Sequence, residues 1–135
     1  MTDGKRKIVL IDDDLQILST AKNLLELSGF EVFTRNSGFD STNFITKHRP
    51  DLVLLDINMP FLSGDRLQQI FQAYRSTSNI PIVFFSSNDE NSLRVLVKRT
   101  GAAGYISKSE MSSNFGAKVA RFLREKKQGD SVESP

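Results

Sequence analysis

Short apolar runs alternate along this chain with longer segments in which apolar residues recur at helical spacing. The runs predict buried strands at 7–11, 31–34, 52–55, 80–85 and 105–107. The longer segments predict helices at about 15–28, 38–48, 65–74, 90–99 and 110–126. Five strand–helix units in succession indicate an α/β fold in which helices cover both faces of a parallel sheet.

Two residues typical of helix ends bound the first predicted helix. Asp14 precedes it and is predicted as its N-cap, because a carboxylate there can accept hydrogen bonds from unpaired backbone N–H groups. Gly29 follows its last apolar residues and suits the left-handed backbone that closes many helices. The helix is therefore predicted to begin directly after the acidic end of the first strand.

Composition excludes several classes of protein. With 135 residues, 39% hydrophobic and 25% charged, the chain fits one globular domain, not a disordered chain, a collagen or a long coiled coil. It has no cysteine and only one histidine, His48, which excludes disulfides, thiolate zinc sites and histidine-rich metal sites. No apolar stretch could span a bilayer, and residues 1–7 lack the apolar core of a signal peptide. We therefore expect a cytoplasmic protein without a membrane partner.

Net charge gives little support to nucleic-acid binding. The chain has 18 basic and 16 acidic residues, a formal charge of +2. Basic residues crowd the end of the last predicted helix, namely Lys118, Arg121, Arg124, Lys126 and Lys127. Cations are favourable at the negative end of a helix dipole, so a solvated helix face explains them better than a DNA contact. We expect no direct binding of nucleic acid.

Polar residues follow four of the predicted strands where each strand ends. They are Asp12, Asp13 and Asp14 after strand one, Asp56 after strand three, Ser86, Ser87 and Asn88 after strand four, and Lys108 after strand five. Because the carboxyl ends of parallel strands meet at one edge of the sheet, these residues are expected to lie close together. Clustered carboxylates favour a hard divalent cation, Mg²⁺ or Mn²⁺. Asp56 is then a possible nucleophile for a phosphoryl group, with Ser86 and Lys108 as the available hydroxyl and cation.

Each of these residues alone has an ordinary structural explanation. An acidic pair is common at a helix start, Asp56 could be a turn residue, and Lys108 could be a surface lysine. Tyr105 would by default be a half-buried aromatic residue. The functional interpretation rests on the joint occurrence of these residue types at the ends of four strands.

The same segments resemble the receiver domain of bacterial two-component response regulators. The matching residues are Ile8 to Asp14, Pro50 to Pro60 with Gly64, Pro81 to Ser87, and Gly101 to Lys108. The resemblance covers about residues 7–126, and the Asp-x-x-Met-Pro segment that begins at Asp56 is its most specific part. It implies a flavodoxin-like, doubly wound five-stranded sheet with strand order 2-1-3-4-5. We therefore predict a lead at 1–6 and a receiver domain at 7–127, and the polar residues 128–135 are predicted to be a flexible tail or the start of a linker.

The resemblance implies a role for each site residue. Asp56 is similar to the phosphoacceptor. Asp13, Asp56 and the backbone carbonyl of Asn58 are similar to the direct ligands of Mg²⁺. Asp12 is similar to the acid that holds the metal through a water molecule. Ser86 resembles the hydroxyl that bonds the phosphoryl group, and Lys108 the cation that pairs with it. Tyr105 resembles the aromatic switch that turns inward with the movement of Ser86.

Partners also follow from the resemblance. The phosphoryl group would come from a sensor histidine kinase, a phosphotransfer protein or a small acyl phosphate. The face formed by helix four, strand five and helix five would control a downstream effector or an output domain absent from this chain, and it could form a homodimer. Such a chain is a signalling module and not an enzyme, beyond catalysing its own phosphorylation and slow dephosphorylation.

The sequence departs from the receiver pattern at two positions. Ser109 follows Lys108 where many receivers have proline after a cis bond, so this loop is expected to be trans and looser. Ser86 replaces the more common threonine and keeps the hydroxyl without the methyl group. Asn58 and Asn88 flank the site with uncharged amides, and neither indicates fast loss of the phosphoryl group.

Two other functions remain open from sequence. A small magnesium phosphohydrolase with an aspartyl nucleophile would need a second acid near Asp56, and Asn58 argues against it. A degenerate receiver that binds partners without phosphorylation is opposed by the full set of site residues. The sequence does not distinguish a stand-alone receiver from an excised one.

Overall fold

The computed structural model of the chain describes residues 4–60 and 62–123. Its sheet contains β1 (Lys7–Ile11), β2 (Glu31–Arg35), β3 (Leu52–Leu55), β4 (Ile82–Ser86) and β5 (Gly104–Ser107). The strand order is β2-β1-β3-β4-β5, and all neighbouring strands are parallel. The α/β fold and the 2-1-3-4-5 order predicted from sequence are confirmed.

Helices α1 (Leu15–Leu27), α2 (Ser41–His48), α3 (Gly64–Ala73) and α4 (Glu90–Thr100) follow the first four strands. Asp14 caps α1 as predicted, since its carboxylate accepts the backbone N–H groups of Gln16 and Ile17. Gly29 has a φ of +97°, the left-handed backbone expected after this helix.

The start of the last helix was predicted too early. A 3₁₀ turn at Lys108–Glu110 follows β5, and the described part of α5 spans 115–123. Before the helix the chain turns at residues 112–115, where the Phe115 N–H donates to the Ser112 carbonyl at 2.9 Å, and a bond of helical spacing then runs from the Lys118 N–H to the Asn114 carbonyl at 3.1 Å. Smaller differences are that α2 begins at Ser41 and β4 at Ile82. Residues 124–126 of the predicted helix, the tail at 128–135 and the start of the lead lie outside the described residues.

Two apolar cores lie on opposite faces of the sheet. Alternate residues of β1 enter each core, with Ile8 and Leu10 on one face and Val9 and Ile11 on the other. The first core is closed by α1 and α5, and the second by α2, α3 and α4. Because both faces are covered, β1, β3 and β4 are almost wholly apolar, and their first polar residues fall at one edge of the sheet.

No helix within the described residues is long and apolar enough to cross a membrane.

Candidate functional site

Three carboxylates meet at the carboxyl edge of the sheet. Asp12 follows β1 and Asp56 follows β3, and the residues are 0% and 2% exposed, whereas Asp13 is exposed. One carboxylate oxygen from each lies within 4.8 Å of the other two. The adjacent positions of β1 and β3, with Ile11 opposite Leu55, explain why the two buried aspartates are neighbours. We call Asp12, Asp13, Asp56 and Lys108 the acidic site.

Lys108 reaches the acidic site from the end of β5. Its Nζ lies 2.7 Å from Asp12 Oδ2 and 3.4 Å from Asp56 Oδ1, and its side chain is only 15% exposed. The ammonium also lies 5.8 Å from the centre of the Phe85 ring. One cation therefore pairs with two buried carboxylates, and the structure brings together these residues that follow three different strands.

Burial controls the charge of Asp56. Desolvation first, and the neighbouring Asp12 carboxylate second, raise the pKa of its carboxyl to about 6, although Lys108 and the Asn58 N–H partly offset them. For Lys108, burial lowers the pKa, but the pairing with Asp12 and Asp56 outweighs burial and the net shift is upward. Lys108 is thus held cationic, while Asp56 is an unusually basic carboxylate.

Backbone hydrogen bonds fix the orientation of Asp12. Its Oδ1 accepts the backbone N–H of Asp14 at 2.9 Å, while its own N–H donates to the carbonyl of Arg35 at 3.0 Å. The end of β2 therefore supports the site, although the sequence indicated nothing special about Arg35. Arg35 contributes its backbone carbonyl, which every residue type has, so the sequence cannot indicate this role.

Gly64 allows the loop after β3 to fold close to Asp56. A Cβ atom at this position would press on the Asp56 carbonyl oxygen and lie 2.8 Å from the Ile57 Cα. The N–H of Gly64 donates to the Ile57 carbonyl at 3.0 Å, which joins the start of α3 to the residue after Asp56. Gly64 belongs to the receiver pattern, but this close backbone approach emerges only from the structure.

Ser86 lies fully buried at the end of β4, with its Oγ accepting the N–H of Asn88 at 3.1 Å. The N–H of Asn58 donates to Asp56 Oδ1 at 3.3 Å. The two asparagine side chains then join the loops, since Asn58 Nδ2 donates to Asn88 Oδ1 at 2.8 Å. Sequence spacing placed both asparagines beside the site but did not predict the bond between them.

Tyr105 is half-buried on β5, and its hydroxyl donates to Glu90 Oε2 at 3.0 Å. Burial raises the pKa of the Tyr105 phenol, and the Glu90 carboxylate adds to the shift. The structure therefore ties Tyr105 to the first residue of α4. Glu90 was not among the residues singled out from sequence.

Ser109 does form part of a trans loop, since no peptide bond in the described ranges is cis. Its backbone N–H and its hydroxyl both contact Ser107 Oγ, the latter at 2.8 Å. A proline at 109 has no N–H to donate. These two serines order the turn that carries Lys108.

The donor set of the acidic site fits a hard divalent cation. It offers carboxylate oxygens from two buried residues and one exposed residue and no nitrogen or sulfur ligand, which suits Mg²⁺ or Mn²⁺. Buried carboxylates at such spacing repel one another, and Lys108 alone leaves a net negative charge. Asp12, Asp13 and Asp56 would hold such an ion.

Comparison with known proteins agrees with this geometry. Residues 8–120 match the family described as the response regulator receiver domain. The chain is 34% identical over 119 residues to the transcriptional regulatory protein PrrA of Mycobacterium tuberculosis, covering 87% of this chain and 50% of that protein. It is also 34% identical over 119 residues to a CpxR homolog of Haemophilus influenzae, with the same two shares of 87% and 50%. The chain thus spans about half the length of the curated relatives it matches.

Solved structures show the same fold. The chemotaxis protein CheY4 of Vibrio cholerae superposes with a TM-score of 0.79 at 22% identity, covering 89% of this chain and 99% of that one. A CheY-like receiver domain from Methanospirillum hungatei gives a TM-score of 0.80 at 24% identity, covering 93% and 99%.

The fold and the acidic edge define a doubly wound α/β domain with clustered carboxylates at the carboxyl ends of its strands. The family match over most of its length goes further: this chain belongs to the receiver domains of two-component response regulators.

Proposed function

We propose that this chain accepts a phosphoryl group on Asp56 in a Mg²⁺-dependent reaction. The donor is the phosphohistidine of a sensor histidine kinase or phosphotransfer protein, or a small acyl phosphate. The observation that carries the proposal is the pairing of a buried, basic Asp56 carboxylate with Lys108, beside Asp12 and Asp13.

In this reaction an oxygen of Asp56 bonds to phosphorus while the bond from phosphorus to the donor nitrogen or oxygen breaks. A pKa of about 6 makes Asp56 more basic than an ordinary aspartate, yet it is mostly ionised at neutral pH. Asp12, Asp13, Asp56 and the carbonyl of Asn58 would hold Mg²⁺, which supplies positive charge to the phosphoryl oxygens.

Lys108 and Ser86 are assigned the role of binding the phosphoryl group once it is on Asp56. Lys108, 3.4 Å from Asp56 Oδ1, can pair with the phosphoryl oxygens without crossing the site. Ser86 Oγ accepts the Asn88 N–H, and its O–H can donate to them when the side chain moves toward the phosphoryl group. That movement would free space for Tyr105 to leave Glu90 and turn inward.

The consequence of phosphorylation is a changed surface at α4, β5 and α5. We propose that this surface controls an effector protein or an output domain. Two relatives carry the name of transcriptional regulatory protein and are about twice as long as the match. The chain acts as a signalling domain, and we propose no turnover of a small-molecule substrate.

The test is phosphoryl uptake from acetyl phosphate, followed by intact-protein mass with and without Mg²⁺. Wild type should gain one phosphoryl group only with Mg²⁺, and Asp56→Asn should gain none. Asp51→Asn is the matched control, since Asp51 precedes β3 and accepts the Lys7 N–H at 2.8 Å at the opposite end of the strand. Persistent labelling of Asp56→Asn would mean that another residue is the acceptor.

Metal binding is tested separately with Asp13→Ala. This exposed carboxylate should contribute to Mg²⁺ affinity without supporting the fold, so the variant should remain folded and bind Mg²⁺ more weakly in calorimetry. Unchanged affinity would remove Asp13 from the metal site.

A further inference from the structure

Two serines flank Lys108 at the end of β5 and are bonded to each other. The hydroxyl oxygens of Ser107 and Ser109 lie 2.8 Å apart, which is a hydrogen bond whichever of them donates. Ser107 Oγ also accepts the backbone N–H of Ser109 at 3.2 Å. Both bonds span Lys108, so the backbone on its two sides is joined through side chains. We call Ser107, Lys108 and Ser109 the serine turn.

The serine turn begins where the sheet meets the acidic site. Ser107 is the last residue of β5 and lies opposite Ser86 in the pairing of β4 with β5. On the other side, the Met111 N–H donates to the Lys108 carbonyl at 3.2 Å and closes one turn of 3₁₀ helix. The backbone of Lys108 is therefore fixed by the strand before it and by the turn after it.

The side chain of Lys108 depends on this support. A lysine ammonium is carried on a long flexible stem, and ordering that stem costs conformational entropy. Its Nζ lies 2.7 Å from Asp12 but 3.4 Å from Asp56, the proposed acceptor. A small shift of the Lys108 backbone toward solvent would therefore break the contact with Asp56 first and leave the cation with Asp12. The contact with Asp56 is the one that phosphoryl transfer needs.

We propose that Ser107 and Ser109 are positioning residues for Lys108 in phosphoryl transfer. Their hydroxyl pair keeps the Lys108 ammonium within reach of Asp56 and of the phosphoryl oxygens bound there. The inference rests on the proposed function for its effect on the rate of uptake, but the geometry is testable without phosphorylation. It also gives Ser109 a role that proline, the more common residue at this position of the receiver pattern, cannot perform, since proline has neither an N–H nor a hydroxyl to donate.

Two other arrangements are consistent with the same hydrogen bonds and are separated by the experiment. In the first, the two ion pairs alone place the Lys108 ammonium, and loss of a serine hydroxyl leaves its contacts unchanged. In the second, the serines act on the acidic site only through the stability of the whole fold. Slower uptake would then follow the fraction of unfolded protein.

The direct test compares Ser107→Val with Ser107→Thr, which have nearly the same shape although only threonine keeps a hydroxyl. NMR measures hydrogen exchange of the Lys108 ammonium in EDTA, with the resonance assigned by its loss in Lys108→Arg. Exchange should quicken by about fivefold in Ser107→Val, the effect of one lost hydrogen bond, and by less than about twofold in Ser107→Thr. Ser109→Ala keeps the N–H but loses its hydroxyl, so it should behave like Ser107→Val.

Phosphoryl uptake from acetyl phosphate is then measured for the same variants. Ser107→Val should slow uptake by about fivefold, and Ser107→Thr should restore it. Mg²⁺ affinity in calorimetry should stay the same, because neither serine belongs to the three clustered carboxylates. In a Lys108→Ala background, Ser107→Val should cause no further loss of uptake.

Ser37→Val is the matched control. Ser37 Oγ accepts the Phe39 N–H at 2.9 Å in the loop after β2, with the same spacing of two residues but away from Lys108. This variant should change uptake and ammonium exchange by less than about twofold.

Unchanged ammonium exchange in Ser107→Val would overturn the inference, and this readout decides the matter if Lys108→Ala does not fold. A further loss of uptake when residue 108 is already alanine would also overturn it, as would a slower uptake matched by a lower folded fraction in circular dichroism. If wild type takes up no phosphoryl group while ammonium exchange responds to the hydroxyl as expected, the serine turn is confirmed and the phosphorylation proposal fails.

Discussion

The acidic site and the surface between α4, β5 and α5 both lie beside strand β5, but the ion pairs at the two places are buried to different extents. Lys108 lies 2.7 Å from Asp12 and is 15% exposed, beside a carboxylate that is fully buried. Lys118 lies 3.0 Å from Glu110, but both side chains are more than one-third exposed. The two distances are nearly equal, so burial and not contact length separates the two pairs. The buried pair at the acidic site is therefore expected to contribute strongly to stability, whereas the exposed pair of Lys118 and Glu110 is expected to contribute little.

The largest expected effect is the loss of the buried cation. Lys108→Ala leaves two buried carboxylates without their counter-charge and should lower the free energy of unfolding by about 3 kcal/mol or more. Lys118→Ala should cost less than about 1 kcal/mol, because water already screens its pair. Urea unfolding in EDTA measures both. Equal losses would contradict the ranking by burial.

Neutralising Asp56 should stabilise the metal-free fold. Burial raises its folded pKa to about 6 from 3.8, so the charged form opposes folding by roughly 3 kcal/mol above pH 6. Below the unfolded pKa the carboxyl is neutral in both states, and this penalty vanishes. Asp56→Asn should therefore match wild type near pH 3.5, become the more stable protein as the pH rises from 3.8 to about 6, and keep a constant advantage above that.

Urea unfolding of both proteins across this pH range checks the prediction, with Asp51→Asn as the control. A constant difference between Asp56→Asn and wild type would show that the aspartate is not titrating as described.

The close approach at Gly64 predicts an intermediate effect. Gly64→Ala places a methyl group against backbone atoms of Asp56 and Ile57 and should destabilise the fold by about 1–3 kcal/mol. It should also slow phosphoryl uptake, because Asp56 must shift. Ser63→Ala, at the neighbouring cap position without a side-chain cap bond, should change stability by less than about 0.5 kcal/mol. If Gly64→Ala takes up the phosphoryl group at the wild-type rate, the loop adjusts to the methyl group without displacing Asp56.

The smallest effect concerns the bond between Tyr105 and Glu90. In a Tyr74→Phe background, Tyr105 is the only tyrosine, so ultraviolet absorbance reports its ionisation alone. Glu90→Gln removes the charge that helps raise the phenol pKa, so this pKa should fall toward its ordinary value. Glu110→Gln removes a carboxylate that pairs with Lys118 and not with Tyr105, so it should leave the phenol pKa unchanged. If both variants behave alike, Glu90 does not hold Tyr105.

The sheet and most of the acidic site could be predicted from sequence, for a physical reason. Buried parallel strands must be apolar, so the first polar residue after each run marks the same edge. This brings Asp12, Asp56 and Lys108 together without knowledge of packing. Gly64 and Glu90 could not be recognised in the same way, because their roles depend on how a loop and a helix pack. The predicted start of α5 was wrong because residues 112–115 form a turn, closed by the Phe115 N–H on the Ser112 carbonyl, that apolar spacing does not reveal.

The most direct test of the central claim is to locate the phosphoryl group. Wild type is treated with acetyl phosphate and Mg²⁺ and then with borohydride, which reduces an aspartyl phosphate to homoserine, and its peptides are sequenced by mass spectrometry. The structure predicts homoserine at position 56 alone, and none without Mg²⁺. Homoserine at position 12 or 13 with Asp56 intact would contradict the assignment of the buried, Lys108-paired carboxylate as the acceptor.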